Sequence, residues 1–265
     1  MRGSWLFILL LLFSCRKKDA FENIAVIGHG GMGLEMQNSI YHDNSAEALE
    51  LALSIDGCNG VELDVQLSAD GKLWLYHDPE LSSETNGSGC VNSKSSAELN
   101  PYHYTTIHKE VLIRLEEFDF HLFKGKKVFL DIRHYNPCTD AFVSQTLITN
   151  AILNSGISSV EGIELFIILS RHQWISAFKQ AGFQVLFCTS GSTDHQKWAM
   201  MYPELDGVVA KNAEITRSQV EELHSIDKKV FIFEMRSPKG IRQGLAKFPD
   251  GVITDDIRAT LIEKY

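Results

Sequence analysis

Residues 60–79 read Gly-Val-Glu-Leu-Asp-Val-Gln-Leu-Ser-Ala-Asp-Gly-Lys-Leu-Trp-Leu-Tyr-His-Asp-Pro. Gly60–Gln66 is a β-branched, apolar run of strand length. Asp70-Gly71 is a hairpin turn signal, and Lys72–Tyr76 supplies the returning strand. Within the first run Glu62 and Asp64 are two apart, so both side chains leave the same face of the strand. Two acidic groups on one face of a buried strand are costly unless something positive neutralises them.

Outward from this stretch, short apolar runs alternate with amphipathic ones. Ile24–Gly28 precedes it as a strand, and Ser45–Ile55 has helical periodicity with a serine start signal. Downstream, strands are expected at Val128–Ile132, Ile163–Leu169, Phe183–Phe187, Gly207–Val209, Val230–Phe233 and Gly251–Ile253. Helices are expected at Leu115–Leu122, Asp140–Leu153, Arg171–Gln180 and Arg217–Ser225, with Trp174 facing a core. Eight strand-then-helix units, with the hairpin strand as an extra, predict a single (β/α)8 TIM barrel. The competing open, doubly wound sheet usually carries a GxGxxG turn after its first strand, and Gly28, Gly30, Gly31 and Gly33 do not match that spacing. Residues 79–110, rich in Ser, Asn and Gly, interrupt the rhythm as an insertion, either a lid or a disordered loop.

The N-terminus is expected to be a targeting segment. Met1-Arg2 is followed by a nine-residue apolar run, Trp5 to Phe13, too short to span a bilayer as a helix. Leu12-Phe13-Ser14-Cys15 resembles a bacterial lipobox with Cys15 as the acylated residue. The expected organisation is a signal peptide over 1–14, a lipid-anchored linker over 15–22 and a catalytic domain over 23–265, tethered to a membrane outside the cytoplasm. The formal net charge of −9, with no basic stripe, argues against a nucleic-acid partner. The other cysteines, 58, 90, 138 and 188, form no CxxC pair, which disfavours a zinc cluster. One disulfide involving Cys90 and buried free thiols are both open.

Ionisable residues concentrate at the expected strand ends, where barrel enzymes carry their chemistry. His29 ends strand one, Glu62 and Asp64 lie on strand two, His77 ends the hairpin, and Asp131 and Arg133 end the next strand. Three carboxylates without sulfur suit a hard cation, Ca²⁺ or Mg²⁺. A buried arginine–carboxylate network without metal is the alternative. Arg133 can pair with an acid or grip a phosphate. Two histidines beside the acids form a candidate acid–base pair. Of the other eight histidines, none is arranged in this way, and His103 and His108 read as solvated loop residues. Ser170, Lys211, Glu234 and Arg236 fall near later strand ends, with Lys211 the best further phosphate partner.

His29-Gly30-Gly31, Asn44-Ser45, Glu62-Leu63-Asp64-Val65, Asp70-Gly71 and Tyr76-His77-Asp78-Pro79 together resemble the N-terminal signature of glycerophosphodiester phosphodiesterases. Leu115–Phe118, Leu130–Arg133 and Asp250–Asp255 resemble later parts of the same family. The resemblance implies a divalent cation on Glu62, Asp64 and Asp131, His29 and His77 as acid and base, and a glycerophosphodiester substrate. In the family the glycerol hydroxyl can act as nucleophile, giving a cyclic phosphate that water opens. The chain departs from the pattern at Gly30, where the family has Arg, and at Asp131 and Arg133, where it has Glu and Lys. Arg133 is therefore expected to take over phosphate binding. The long spacing from His29 to Asn44 suggests an enlarged first loop and a wider pocket. A phospholipase acting on intact lipid head groups and a non-catalytic, phosphate-binding barrel are the alternatives.

Overall fold

Runs such as Val-Phe-Leu-Asp-Ile and Leu-Phe-Ile-Ile-Leu are apolar on both faces, as strands sandwiched between a barrel interior and a helical coat must be. A computed structural model describes residues 20–34 and 39–265. The expected signal peptide, Cys15 and most of the linker lie outside the described residues, as does the middle of the loop after His29.

Eight parallel strands close on themselves: β1 (Ala25–Gly28), β2 (Gly60–Leu67), β4 (Lys127–Ile132), β7 (Glu164–Leu169), β8 (Gln184–Cys188), β9 (Gly207–Lys211), β10 (Lys229–Phe233) and β11 (Gly251–Thr254). Closure comes from β1 pairing with both β11 and β2. β3 (Leu73–Leu75) returns antiparallel against β2 through the Asp70-Gly71 turn, where Gly71 takes a positive φ of 78°. A two-stranded ribbon, β5 (Tyr135–Asn136) with β6 (Ala141–Phe142), follows β4. The helices are α1 (Ala46–Ser54), α2 (Ser96–Leu99), α3 (Gln145–Ser155), α4 (Ile175–Gln180), α5 (His195–Met201), α6 (Arg217–His224), α7 (Pro238–Leu245) and α8 (Ile257–Lys264). Ser45 caps α1 by accepting from the Ala48 amide.

The barrel interior is filled by Ile27, Phe129, Phe166, Ile168, Leu186, Val209, Phe231 and Ile253. Phe129, Phe166 and Phe231 form an aromatic layer with centroids 4.8–5.6 Å apart.

Two expectations are corrected. Leu115–Leu122 is not a helix but two short 3₁₀ turns, Leu115–Glu117 and Phe120–Phe123, because Phe118, Phe120 and Phe123 stack together and turn the chain inward. The early part of Asp140–Leu153 is the β6 strand, and the helix starts only after Ser144. Of the two readings of the 79–110 insertion, the disordered loop is overturned, because short turns and a helix form within it. The insertion packs Leu81, Val91, Leu99 and Tyr104 on Trp74 and Tyr76 as a separate small core. A disulfide joins Cys90 to Cys138, while Cys58 and Cys188 are free thiols.

Candidate active site

The register of β2 on β4 sets Asp64 directly beside Asp131. Glu62, two residues back on the same face, completes the group. One carboxylate oxygen from each of the three lies within 4.8 Å of the others. Asp64 is fully buried and Glu62 nearly so. Burial, with Asp64 alongside, pushes the Glu62 carboxyl well above its usual range. Asp131 is raised by burial too, against the pull of Arg133. Asp64 is lowered in spite of burial, because Arg133, His77 and the Asn44 amide favour its charged form. Arg133 reaches Asp64 Oδ1 through Nε at 2.8 Å and through Nη2, and Asp131 Oδ2 at 3.3 Å. Three acids share one guanidinium in a buried place, and burial together with their mutual repulsion disfavours the charged forms of Glu62 and Asp131. That mutual repulsion and the all-oxygen donor set fit a hard divalent cation.

The two histidines are held alike. His29 Nδ1 donates to Asp255 Oδ1 at 2.7 Å, which leaves Nε2 3.9 Å from Glu62 Oε2. His77 Nδ1 donates to Asp78 Oδ1 at 2.8 Å. Each imidazole thus has one nitrogen fixed by an acid and the other available for proton transfer. Burial alone would lower the His29 pKa, but the Asp255 hydrogen bond and the charges of Glu62, Asp255 and Asp64 raise it to about 9.

The β1–α1 loop is shaped to bring His29 over the acids. At Gly28 a Cβ would stand 2.0 Å from the Gly31 carbonyl, so the chain folds back on itself only with glycine there. Gly30 donates its amide to Glu62 Oε2 at 3.0 Å. Asn44 adopts φ 58° and bridges to Asp64 twice, donating from Nδ2 to Oδ2 at 2.8 Å and accepting the Asp64 amide at 2.9 Å. Asn is among the few side-chain-bearing residues that enter this backbone region readily.

These groups border a cavity of about 490 Å³ lined by His29, Glu62, His77, Asp131, Arg133 and Lys211, among others. Ser170, Glu234 and Arg236 line it too. Apolar and aromatic side chains, including Phe233, Tyr135 and Ile168, form much of its wall. The expected site residues on the barrel are therefore brought together, but two cations are not idle. Arg133 is engaged with two of the acids, and Lys211 pairs with Glu234 at 3.5 Å.

Some residues escaped the sequence reading. Asp255 was visible only as part of a closing strand, and its position beside β1 fixes His29. His134 lines the cavity from the β4–β5 connection. His42 stands with Asp43 and Glu84 in a second acidic cluster, which corrects the expectation that the remaining histidines are unarranged.

A parallel eight-stranded barrel with paired histidines and an acidic trio at the C-terminal mouth defines a phosphodiesterase-type barrel. The Glycerophosphoryl diester phosphodiesterase family profile matches residues 29–259. The chain belongs to that family. A glycerophosphodiester phosphodiesterase of Bacillus altitudinis is 44% identical over 59 residues, which is 22% of this chain and 24% of the relative. That match therefore spans about a quarter of the curated relative's length. Among solved structures, an Oleispira antarctica phosphodiesterase in complex with the product sn-glycerol-3-phosphate superposes with a TM-score of 0.75 at 19% identity, covering 92% of this chain and 98% of the other. A glycerophosphodiester phosphodiesterase from Agrobacterium tumefaciens superposes at 0.72 with 17% identity, covering 90% and 99%.

Proposed function

We propose that the protein hydrolyses glycerophosphodiesters to an alcohol and glycerol 3-phosphate, with Ca²⁺ or Mg²⁺ held by Glu62, Asp64 and Asp131. The observation that carries this reading is that two acid-buttressed imidazoles line one cavity with Glu62 and Asp131, and that Asp64 lies buried against those two acids. A bound cation supplies positive charge against the phosphoryl oxygens. One imidazole takes the proton of the substrate's glycerol hydroxyl as it attacks phosphorus, the other gives a proton to the departing alcohol oxygen, and a water molecule then opens the cyclic phosphate to glycerol 3-phosphate with the two roles exchanged. Arg133 and Lys211 face the same cavity as phosphate partners.

The substrate is read as water-soluble rather than an intact membrane lipid. The described chain enters at the N-terminal ends of the strands, where Phe21 packs on Phe248 at 5.4 Å and Lys264 Nζ donates to the Ile24 carbonyl. The cavity opens at the opposite end. A lipid on Cys15 would hold the barrel by the end remote from its mouth. The Cys90–Cys138 disulfide supports an extracytoplasmic setting. No helix of the described residues is long and apolar enough to cross a membrane.

The test is release of glycerol 3-phosphate from glycerophosphocholine and related diesters, with Ca²⁺, Mg²⁺ or EDTA added. Turnover that EDTA abolishes is expected. Cleavage of intact phospholipid with no turnover of the deacylated diesters would overturn the substrate reading. Binding of glycerol 3-phosphate without turnover of either substrate would favour the non-catalytic barrel.

A further inference from the structure

A second cluster of charged groups lies outside the catalytic cavity. His42 and Asp43 come from the β1–α1 loop, and Glu84 comes from the 79–110 insertion. One donor atom from each lies within 4.8 Å of the other two. Asp43 is 5% exposed; its Oδ1 meets only the His42 ring, while its Oδ2 and Glu84 Oε2 accept no hydrogen bond. Buried acceptors without partners are rare in folded proteins and point to something that supplies positive charge.

His42 meets only part of this demand. Its Nδ1 hydrogen-bonds the Asp43 backbone oxygen at 2.9 Å and stands 2.5 Å from Asp43 Oδ1. Its Nε2 is 3.7 Å from Glu84 Oε1. A proton on this ring therefore leaves Asp43 Oδ2 and Glu84 Oε2 buried and unmatched. Residue 30 cannot help, because it is glycine and a Cβ there would already lie 2.8 Å from Asp43 Cβ. Tyr104 stacks on the His42 ring with centroids 3.8 Å apart and closes the cluster on another side.

We propose that His42, Asp43 and Glu84 form a second divalent-cation site that pins the 79–110 insertion to the β1–α1 loop. One imidazole with two carboxylates is a borderline donor set, suited to Zn²⁺ or Mn²⁺ more than to Ca²⁺, and water completes the coordination. The site is structural. None of its three side chains lines the catalytic cavity, and its occupancy can be measured apart from turnover.

The probe is Zn²⁺ alone. Full-length protein is stripped with EDTA, loaded with ZnCl₂, desalted, and analysed for bound metal by mass spectrometry. Glu84→Gln and His42→Ala are expected to retain one equivalent fewer than the unmodified chain. Zn²⁺ is expected to raise the melting temperature of the unmodified chain by several degrees more than that of either variant. Glu84 is partly exposed at the rim, so Glu84→Gln keeps the test open if His42→Ala does not fold. Equal zinc content in the unmodified chain and in Glu84→Gln would overturn the proposal and leave a proton on His42 as the only neutraliser.

Discussion

Removing the Cys90–Cys138 link by a Cys90→Ala/Cys138→Ala double change tests how the cavity wall is held. The bridge closes a loop of sequence separation 48. Loop-closure entropy for that length is worth about 4 kcal/mol at room temperature. For a domain of this size each kcal/mol shifts the melting temperature by roughly 2–4 °C, so a fall of about 8–16 °C is expected. The cost reaches the site, because Cys138 ends the stretch that carries Arg133, His134 and Tyr135 along the cavity. Without the bridge that stretch keeps the Asn136 Nδ2 to Ser93 Oγ hydrogen bond of 3.1 Å as its link to the insertion near Cys90. The assay is thermal unfolding of the unmodified and doubly changed chains, each with and without dithiothreitol, alongside KM for a glycerophosphodiester. Reductant should lower the first melting temperature and leave the second unmoved, and KM should rise several-fold in the variant. Equal melting temperatures for the two chains without reductant would refute the reasoning.

His29→Asn and His77→Asn should each lower kcat by about 10²–10⁴-fold, the usual worth of a positioned acid or base, with metal content unchanged. A rate within twofold of the unmodified chain for either would remove that residue from the acid–base pair. Asn44→Ala should destabilise by about 2–4 kcal/mol, since it leaves the Asp64 amide and one Asp64 oxygen unpaired and puts alanine at φ 58°, as judged by denaturant unfolding. Asn44→Gly relieves the backbone but not the lost amide, so it should recover about 1 kcal/mol of that loss and no more. Asp131→Asn should weaken cation binding at least tenfold by calorimetry, and an unchanged affinity would exclude Asp131 from the ligand set.

The barrel was legible because its signal is repeated. Each strand is a short run of branched and aromatic residues, and a misplaced end by one or two positions does not alter the eightfold count. The acidic trio was legible for a different reason. Glu62 and Asp64 share a face by the two-residue period of a strand, and carboxylates there have no place in an ordinary core. Asp255 was not legible in the same way. Its role depends on β11 closing against β1, a pairing between residues 226 positions apart that no local pattern encodes. Glu84 and His42 are likewise brought together by the folding of the insertion. Serine- and glycine-rich sequence there hid a core built from few, widely spaced apolar residues, Leu81, Val91, Leu99 and Tyr104.

Arg133 sits where the charge economy of this site is decided. With glycine at position 30, the cation that the family carries beside the first histidine is gone. It cannot simply be restored. Gly30 has φ 53°, and a Cβ there would press on Asp43, so Gly30→Arg strains the loop before its guanidinium reaches anything. Arg133 lines the same cavity, but it is committed to Asp64 and Asp131. The same two acids belong to the proposed cation site. A divalent ion held by those acids would compete with the guanidinium for their charge and would make its release toward a phosphate less costly. Cation and substrate binding should then support each other through Arg133. Arg133→Lys, with a single point charge in place of the fork, is expected to lower that coupling more than either affinity alone, as read by calorimetric titration of glycerol 3-phosphate with and without Ca²⁺; an unchanged ratio of the two affinities would refute it.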